Sequence, residues 1–231
     1  MNAYSSMNTC VSRTVVIAAL FIATTASTFA QSTYKMGIVA GANASSLSSD
    51  LFTTASGRLG YAAGCSFVIS LNDKFEYNQE IVFTQKGGSA KTVQFRPEEQ
   101  PLNGTNDFHY NTFEAGSFIG FKPVESLPFQ IHAGAFVGSH FANLDRTKRD
   151  QYLGNYEDLN EATRAVDLND AFSGVDFGPA IGISAGEKRF RANVRYYLGA
   201  RNLYNNIAFT TEDHQIRTKS LRFSLTYFFK A

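Results

Sequence analysis

The sequence contains no tryptophan, only five prolines and two cysteines among its 231 residues, and its formal net charge is +1. The balanced charge leaves no basic footprint for nucleic acid, so no nucleic-acid partner is expected. Cys10 precedes the N-terminal apolar run, so loss of that region would leave Cys65 alone and no internal disulfide. From residue 31 onwards there is no run of 18 apolar residues, which argues against helical membrane spans.

The N-terminus has the pattern of a secretory signal peptide. Arg13 precedes the apolar run TVVIAALFIA, and a stretch of small residues follows. Thr28 and Ala30 suit the two small positions of a signal peptidase site, and the run is about half the roughly 20 residues that a spanning helix needs. We therefore expect residues 1–30 to be a cleaved signal peptide and residues 31–231 to be one exported domain.

Glycine is abundant and often occurs in pairs four residues apart, as in GIVAG, GYAAG, GSFIG, GAFVG and GPAIG. In a membrane helix this spacing favours close contact between two helices. In a strand it places both glycines on one face, because alternate residues share a face. Since helical spans are not expected, the strand interpretation is favoured.

Alternation with a period of two dominates the exported domain. It predicts eight strands, at residues 34–43, 58–71, 75–86, 108–121, 129–142, 174–185, 189–202 and 219–229. One face of each strand is apolar and carries no charge, whereas the other is polar or small. The expected charged residues of the polar face are Lys35, Glu76, Glu80, Glu114, Asp176, Arg191, Arg195, Arg201 and Arg222. Its paired glycines are Gly37, Gly41, Gly60, Gly64, Gly116, Gly120, Gly134, Gly138, Gly178 and Gly182.

A soluble sandwich would bury the apolar face, and it would not need so much glycine on the polar one. A narrow barrel in lipid has an apolar exterior and a polar lumen crowded enough to favour small residues. The predicted connections also alternate: long loops at 44–57, 87–107, 143–173 and 203–218 and short turns at 72–74, 122–128 and 186–188. We therefore predict an all-β, eight-stranded antiparallel up-and-down transmembrane β-barrel with periplasmic short turns.

Aromatic residues near the strand ends predict two girdles at the membrane interfaces. The periplasmic girdle would contain Tyr34, Phe75, Phe121, Phe129, Phe190, Tyr227 and Phe229. The outer girdle would contain Tyr61, Phe108, Tyr110 and Phe141.

The stretch DFGPAIGISAGEKRFRANVRYYLGARNLYNN (176–206), followed by KSLRFSLTYFF (219–229), resembles the PorT-like outer-membrane β-barrel family of Bacteroidetes. The likeness consists of a glycine-rich strand, a tight turn, a strand ending in Tyr-x-x-Gly and a final amphipathic strand. It implies an outer-membrane barrel and, through one family member, a link to protein secretion. Two features depart from the pattern. The last aromatic, Phe229, lies two residues before the end, and Pro179 predicts a bulge or break in pairing.

The charges of the polar face predict either ion pairs that plug the lumen or a polar path for a small solute. The small diameter of eight strands favours the plug. We expect a structural, adhesion or secretion-linked protein. The alternatives are a narrow channel for small solutes and a secreted lipocalin-like binding protein.

Histidines are the remaining candidates for chemistry. His109, His140 and His214 are expected near the outer rim, where they could bind metal or join Asp107 and Asp145 in acid–base work, and His132 is expected in the lumen. No metal-ligand spacing supports the first idea. Ser139 and His140 are adjacent, so they point to opposite faces of a strand and form no catalytic pair. We therefore expect no enzymatic activity, metal or cofactor.

The segment 143–173 is charged and long enough to contact an extracellular partner, and a short helix is expected around 156–166. Outer-membrane lipid is the other expected partner, and the protein is expected to be a monomer.

Overall fold

The alternating segments form extended antiparallel strands in a computed structural model of the chain. The structure describes residues 34–49, 54–94, 102–124, 126–142, 151–153, 163–164, 174–186, 189–202 and 216–229. Its strands are β1 (Tyr34–Ser49), β2 (Thr54–Ser70), β3 (Phe75–Gln94), β4 (Leu102–Phe121), β5 (Phe129–Ala142), β6 (Gln151–Leu153), β7 (Thr163–Arg164), β8 (Gly174–Ala185), β9 (Phe190–Leu198) and β10 (Ile216–Phe228). The described part of the chain contains no helix long and apolar enough to cross a membrane.

Eight of these strands close on themselves. The order is β2–β1–β10–β9–β8–β5–β4–β3, every neighbouring pair is antiparallel, and β3 pairs back to β2. The predicted fold class, an all-β, eight-stranded antiparallel up-and-down transmembrane β-barrel, is confirmed. The two short strands β6 and β7 lie outside the closed ring, because β6 pairs with the end of β3 and β7 pairs with β6.

Several strands extend beyond their predicted ends. The loops predicted at 44–57 and 87–107 are too long, since β1 runs to Ser49, β2 starts at Thr54, β3 runs to Gln94 and β4 starts at Leu102. These extensions are mostly polar or small on both faces, so no clear alternation marks them in the sequence. The β3–β4 ladder nevertheless continues unbroken from the Phe75–Phe121 pair to the Gln94–Leu102 pair.

The predicted loop at 143–173 also contains strands. Thr163 and Arg164 form β7, so the helix expected around 156–166 is wrong at these two residues. The rest of that helix lies outside the described residues, as does 203–215 of the predicted loop at 203–218.

The short turns are held by hydrogen bonds at the end of the barrel where β1 begins and β10 ends. Asn72 caps the first turn, because its side-chain oxygen accepts bonds from the backbone N–H groups of Lys74 and Phe75 at 2.9 and 2.8 Å. In the third turn Gly186 adopts a φ of 135°, which favours glycine, and its N–H donates to the Pro128 carbonyl. We call this end of the barrel the short-turn end.

Pro179 interrupts pairing on one side only. It stays in register with Ala135 of β5, so the bulge predicted there is absent from the β5–β8 ladder. On the other side the β8–β9 ladder begins at Ala180 and covers only the six residues to Ala185. Proline has no N–H to donate, which accounts for a ladder that ends beside it.

The exterior of the barrel is apolar. Side chains of the predicted apolar face are exposed in all eight barrel strands, among them Ile38, Leu59, Ile81, Phe113, Ile131, Ile181, Phe190 and Leu225. The exposed Cys65 lies on the same surface. An apolar face on the outside and a charged one on the inside is the arrangement that lipid requires and a soluble barrel avoids.

Ring contacts link neighbouring strands near the short-turn end, where one girdle was predicted. Tyr34 stacks on Phe67 with ring centroids 6.0 Å apart, Phe75 contacts Phe121 at 5.2 Å, and Tyr227 contacts Phe190 at 5.2 Å. Tyr61 and Phe83 form a similar contact towards the opposite end.

Tyr110 was wrongly assigned to the outer girdle. It has an even-numbered position on β4, like Glu114, and its side chain is buried in the lumen. The side chains of Phe108 and Phe141 lie outside the described residues.

Candidate functional site: the barrel lumen

The closed strand order decides which lumen walls face each other. Going round the barrel through β4, β5 and β8, β3 is four strands from β9, and β4 is likewise four strands from β10. In an eight-stranded ring, four strands apart means opposite. The lumen therefore has an acidic wall on β3 and β4 and a basic wall on β9 and β10, with side chains that meet across the diameter.

The first ion pair crosses the lumen near the short-turn end. Arg191 of β9 forms a two-pronged contact with Glu76 of β3, donating from Nη1 to Oε1 and from Nη2 to Oε2. Gln130 of β5 also donates to Glu76 Oε2, at 3.0 Å. All three side chains are buried, and this network joins three separate strands.

The second ion pair lies in the middle of the lumen. Arg195 Nη1 is 2.6 Å from Glu80 Oε2, and both side chains are about 1% exposed. The guanidinium of Arg195 also stacks over the ring of Phe118, 4.3 Å from its centroid. This stacking fixes the arginine against the aromatic side of the lumen.

The third ion pair brings two cations to one carboxylate. Arg222 of β10 donates from Nη2 to Glu114 Oε1, and Lys86 Nζ lies 2.6 Å from Glu114 Oε2. Arg222 also donates from Nη1 to the Tyr197 hydroxyl at 2.9 Å. Lys86 was not predicted as a lumen residue, although its even position on β3 matches those of Glu76 and Glu80.

Asp176 belongs to a fourth cluster, towards the long-loop end. Its Oδ2 accepts a hydrogen bond from Thr218 Oγ1 at 2.5 Å and lies 3.6 Å from His140 Nε2. The other ring nitrogen of His140 is 2.8 Å from Thr112 Oγ1. The Thr–His–Asp order is that of a catalytic triad, but all three side chains are buried, so no substrate reaches the threonine hydroxyl.

Aromatic side chains fill much of the lumen between the ion pairs. Phe118, Phe136 and Tyr197 pack together with Ala180, and the Tyr197 ring meets both phenylalanines edge-on. Sequence reasoning missed this cluster because it considered the inner face polar or small. The period of two would have identified it, since each member shares its face with a buried polar or charged lumen residue.

Two of the nine predicted lumen charges are not brought into these clusters. Lys35, at the start of β1, is half-buried and has no ion-pair partner among the described residues. Arg201 follows the end of β9 and donates to the carbonyl of Val175 at 2.6 Å, at the long-loop end. The other seven, Glu76, Glu80, Glu114, Asp176, Arg191, Arg195 and Arg222, are buried in the lumen.

The ten predicted lumen glycines fall into two groups according to what an added Cβ would meet. At Gly116, Gly120 and Gly138 the nearest atoms belong to the lumen side chains Phe118, Glu76 and Thr112. At the other seven the nearest atom is a backbone carbonyl oxygen of the next strand, 1.9 to 2.4 Å away; these are Gly37, Gly41, Gly60, Gly64, Gly134, Gly178 and Gly182. Room for lumen side chains therefore explains three glycines, and close approach of strands explains seven.

The structure places His140 inside the lumen and not on the rim, where a histidine trio is considered from the sequence. His140 is buried in the lumen, with its neighbour Ser139 on the opposite face, and His132 lies 2.7 Å through Nε2 from Ser184 Oγ. His109 is half-buried, whereas His214, Asp145 and the side chain of Asp107 lie outside the described residues. Across the described ranges no cluster of three or more His, Cys, Asp or Glu side chains could hold a metal ion.

No family model matches the chain, and no curated protein matches it. Among solved structures it is similar to Neisserial surface protein A, at 15% identity over 84% of this chain and 97% of the other, with a TM-score of 0.49. It is also similar to Ail, the attachment invasion locus protein of Yersinia pestis, in complex with the heparin analogue sucrose octasulfate. The identity is 12% over 85% of this chain and 99% of the other, with a TM-score of 0.43.

A third similar structure is the outer membrane protein OprG from Pseudomonas aeruginosa, at 10% identity over 87% of this chain and 98% of that one, with a TM-score of 0.42. All three TM-scores lie below 0.5, and the barrel fold of this chain is established by its own strand pairing.

Proposed function

We propose that this chain is an integral outer-membrane protein whose lumen is closed to ions and whose role is structural or adhesive. The observation that carries the proposal is the set of three ion pairs that span the lumen from β3 and β4 to β9 and β10. With the aromatic cluster between them, they occupy an interior that eight strands leave just wide enough for side chains.

The length of the central hairpin supports a role outside the membrane. β3 and β4 have 20 residues each. A strand of that length, tilted by about 45°, rises about 45 Å, whereas the apolar band of such barrels is about 25 Å tall. The polar half of the hairpin, extended sideways by β6, would project beyond the lipid. We propose that it and the segment 143–173 contact an extracellular partner, or serve secretion through such contacts.

The proposal includes further points that rest on the sequence. Residues 1–30 would be removed on export, the barrel would be a monomer in outer-membrane lipid, and the likeness to PorT-like proteins of Bacteroidetes would reflect kinship. No enzymatic activity is proposed, because the Thr112–His140–Asp176 cluster is enclosed. N-terminal sequencing of the exported protein should begin at Gln31.

Conductance across planar bilayers tests the closed lumen. The folded protein should give no single-channel steps in potassium chloride, under conditions in which a general porin does. Stable steps would overturn the closed lumen and favour the narrow channel for small solutes.

Solubility tests the membrane location. A secreted lipocalin-like binder should keep an apolar interior for its ligand, whereas here the interior is charged and the exterior apolar. The exported protein should remain in the outer-membrane fraction until detergent is added. Recovery of a folded monomer without detergent would overturn the membrane proposal and restore the soluble alternative.

A further inference from the structure

Two charged side chains interrupt the apolar exterior of the barrel. Among the side chains that the structure describes in the eight barrel strands, only Arg217 and Lys219 of β10 are charged and point outwards. Between them Thr218 faces the lumen, where its hydroxyl is bonded to Asp176, so its two neighbours on the strand face the other way. Neither cation has an ion-pair partner in the described part of the chain. The pair is therefore available to a ligand outside the barrel.

The pair lies at the height where the apolar core of a membrane ends. Lys219 is ten positions before Phe229, which is exposed at the short-turn end. At about 3.4 Å per residue and a tilt of about 45°, this separation is a height of about 24 Å, close to the roughly 25 Å of the apolar band. Arg217 is about 5 Å farther out. Both cations are therefore at the level of lipid headgroups, on the side of the long loops.

Hydroxyl groups lie beside the two cations on the neighbouring strand. Ser46 and Ser48 of β1 are the register partners of Lys219 and Arg217, and register partners on paired strands share one face of the sheet. Both serines are half-buried. This corner of the exterior thus combines two positive charges with two hydroxyl donors.

The surface below this corner, towards the middle of the membrane, is apolar. Leu221 follows Lys219 on the exterior of β10, and its register partner on β1 is Ala44. Leu198 is the register partner of Lys219 on β9 and gives the lysine stem an apolar neighbour, while the ammonium group reaches towards water. A ligand held by the cations therefore has hydrocarbon side chains beneath it.

Polar donors above an apolar surface match a lipid with a phosphate in its headgroup. A phosphate accepts two parallel bonds from an arginine and further bonds from lysine and hydroxyl groups. We propose that Arg217 and Lys219, with Ser46 and Ser48, form a binding site for the phosphate of an outer-leaflet lipid whose acyl chains lie on the apolar surface below. The site rests on the proposed membrane location and is independent of the closed lumen and of any extracellular partner.

Native mass spectrometry of the folded protein with a phosphorylated glycolipid, lipid A, tests the site. The double variant Arg217→Gln with Lys219→Gln should bind lipid A about tenfold more weakly than the parent, because two charge-assisted contacts are lost. The matched control, Arg189→Gln with Lys122→Gln, removes the same charge at the short-turn end and should bind like the parent. Equal binding by the parent and the Arg217 and Lys219 variant, or an equal loss in both double variants, would overturn the site.

Dephosphorylated lipid A and inorganic phosphate identify the group that is recognised and its source. The parent should bind dephosphorylated lipid A as weakly as the Arg217 and Lys219 variant binds lipid A, because the accepting oxygens are missing. Inorganic phosphate at the concentration of the lipid should not displace lipid A, because it makes no apolar contact. Equal binding of the two glycolipids, or displacement by inorganic phosphate, would overturn the assignment to a lipid phosphate.

Membrane retention separates the failure of this site from the failure of the membrane location. Folded protein is selected by its heat-modifiable migration on gels, and Arg217→Gln alone replaces the double variant if that variant does not fold. Both double variants should stay in the membrane fraction until detergent is added, because the rest of the exterior is intact. Equal lipid A binding by retained variants overturns the site alone, whereas recovery of folded parent protein without detergent overturns the membrane location and the site with it.

Discussion

Arg195 of β9 and Arg222 of β10 are register partners on neighbouring strands, yet each reaches across the lumen to a different glutamate, Glu80 or Glu114. Like charges directly opposite each other on paired strands repel. The acidic wall on β3 and β4 offsets this repulsion only if each arginine keeps its own carboxylate. Lys86 is a second cation at Glu114, so this one carboxylate compensates two buried positive charges.

Glu114→Gln should therefore be strongly destabilising. The change leaves Arg222 and Lys86 buried without their counter-charge, and breaking a buried pair in this way costs about 3–5 kcal/mol. The free energy of unfolding in urea, measured in lipid vesicles by circular dichroism, checks the value. The double variant Glu114→Gln with Lys86→Met should recover part of the loss, since it removes one of the two unpaired cations. A loss below about 1 kcal/mol, typical of an exposed pair, would contradict the lumen position of Glu114.

Tryptophan substitutions should report directly which face of β4 meets lipid. The chain has no tryptophan, so Phe113→Trp and Phe118→Trp each introduce a single tryptophan, whose fluorescence can be excited selectively. Phe113 is 54% exposed on the exterior and Phe118 only 1% exposed in the lumen. Lipids with brominated acyl chains should quench the first strongly and the second weakly. The reverse order would mean that the two faces of the barrel are interchanged.

The faces of the strands could be predicted because lipid and lumen impose opposite chemistry on alternate residues. The girdle prediction for Tyr110 is wrong because it follows from the aromatic ring alone, whereas the alternation of β4 places this residue on the lumen face. The outer halves of β3 and β4 could not be found in this way, since their residues are mostly polar or small on both faces. The pairing of Glu80 with Arg195 could not be predicted from the sequence either, because it depends on the stagger between strands with which the barrel closes. No single strand encodes that stagger.

An arginine on the exterior should cost more in the middle of a strand than at its end. Phe223 is exposed near the middle of β10 and pairs with Val194, whereas Phe190 is exposed at the first position of β9, beside the short-turn end. Phe223→Arg should lower the free energy of unfolding in lipid vesicles by about 2–4 kcal/mol, and Phe190→Arg by about 0–1 kcal/mol beyond the loss of its ring contacts. Equal costs at the two sites would show that the exterior does not span an apolar membrane core.

Alanine substitutions should distinguish glycines that the close approach of a neighbouring strand requires from glycines at which a small side chain would fit. A Cβ on Gly64 of β2 would lie 2.0 Å from the Ile81 carbonyl oxygen and 2.7 Å from the Val82 Cα of β3, and backbone atoms cannot move aside as a flexible side chain can. On Gly88 of β3 the nearest atoms would be 3.6 Å away, which is ordinary contact. Gly64→Ala should therefore lower the free energy of unfolding by about 1–3 kcal/mol or more, whereas Gly88→Ala should stay within about 0.5 kcal/mol of the parent. Urea titrations of the two variants beside the parent measure the difference. Equal stability of the two alanine variants would mean that the β2–β3 contact at Gly64 is looser than the structure has it.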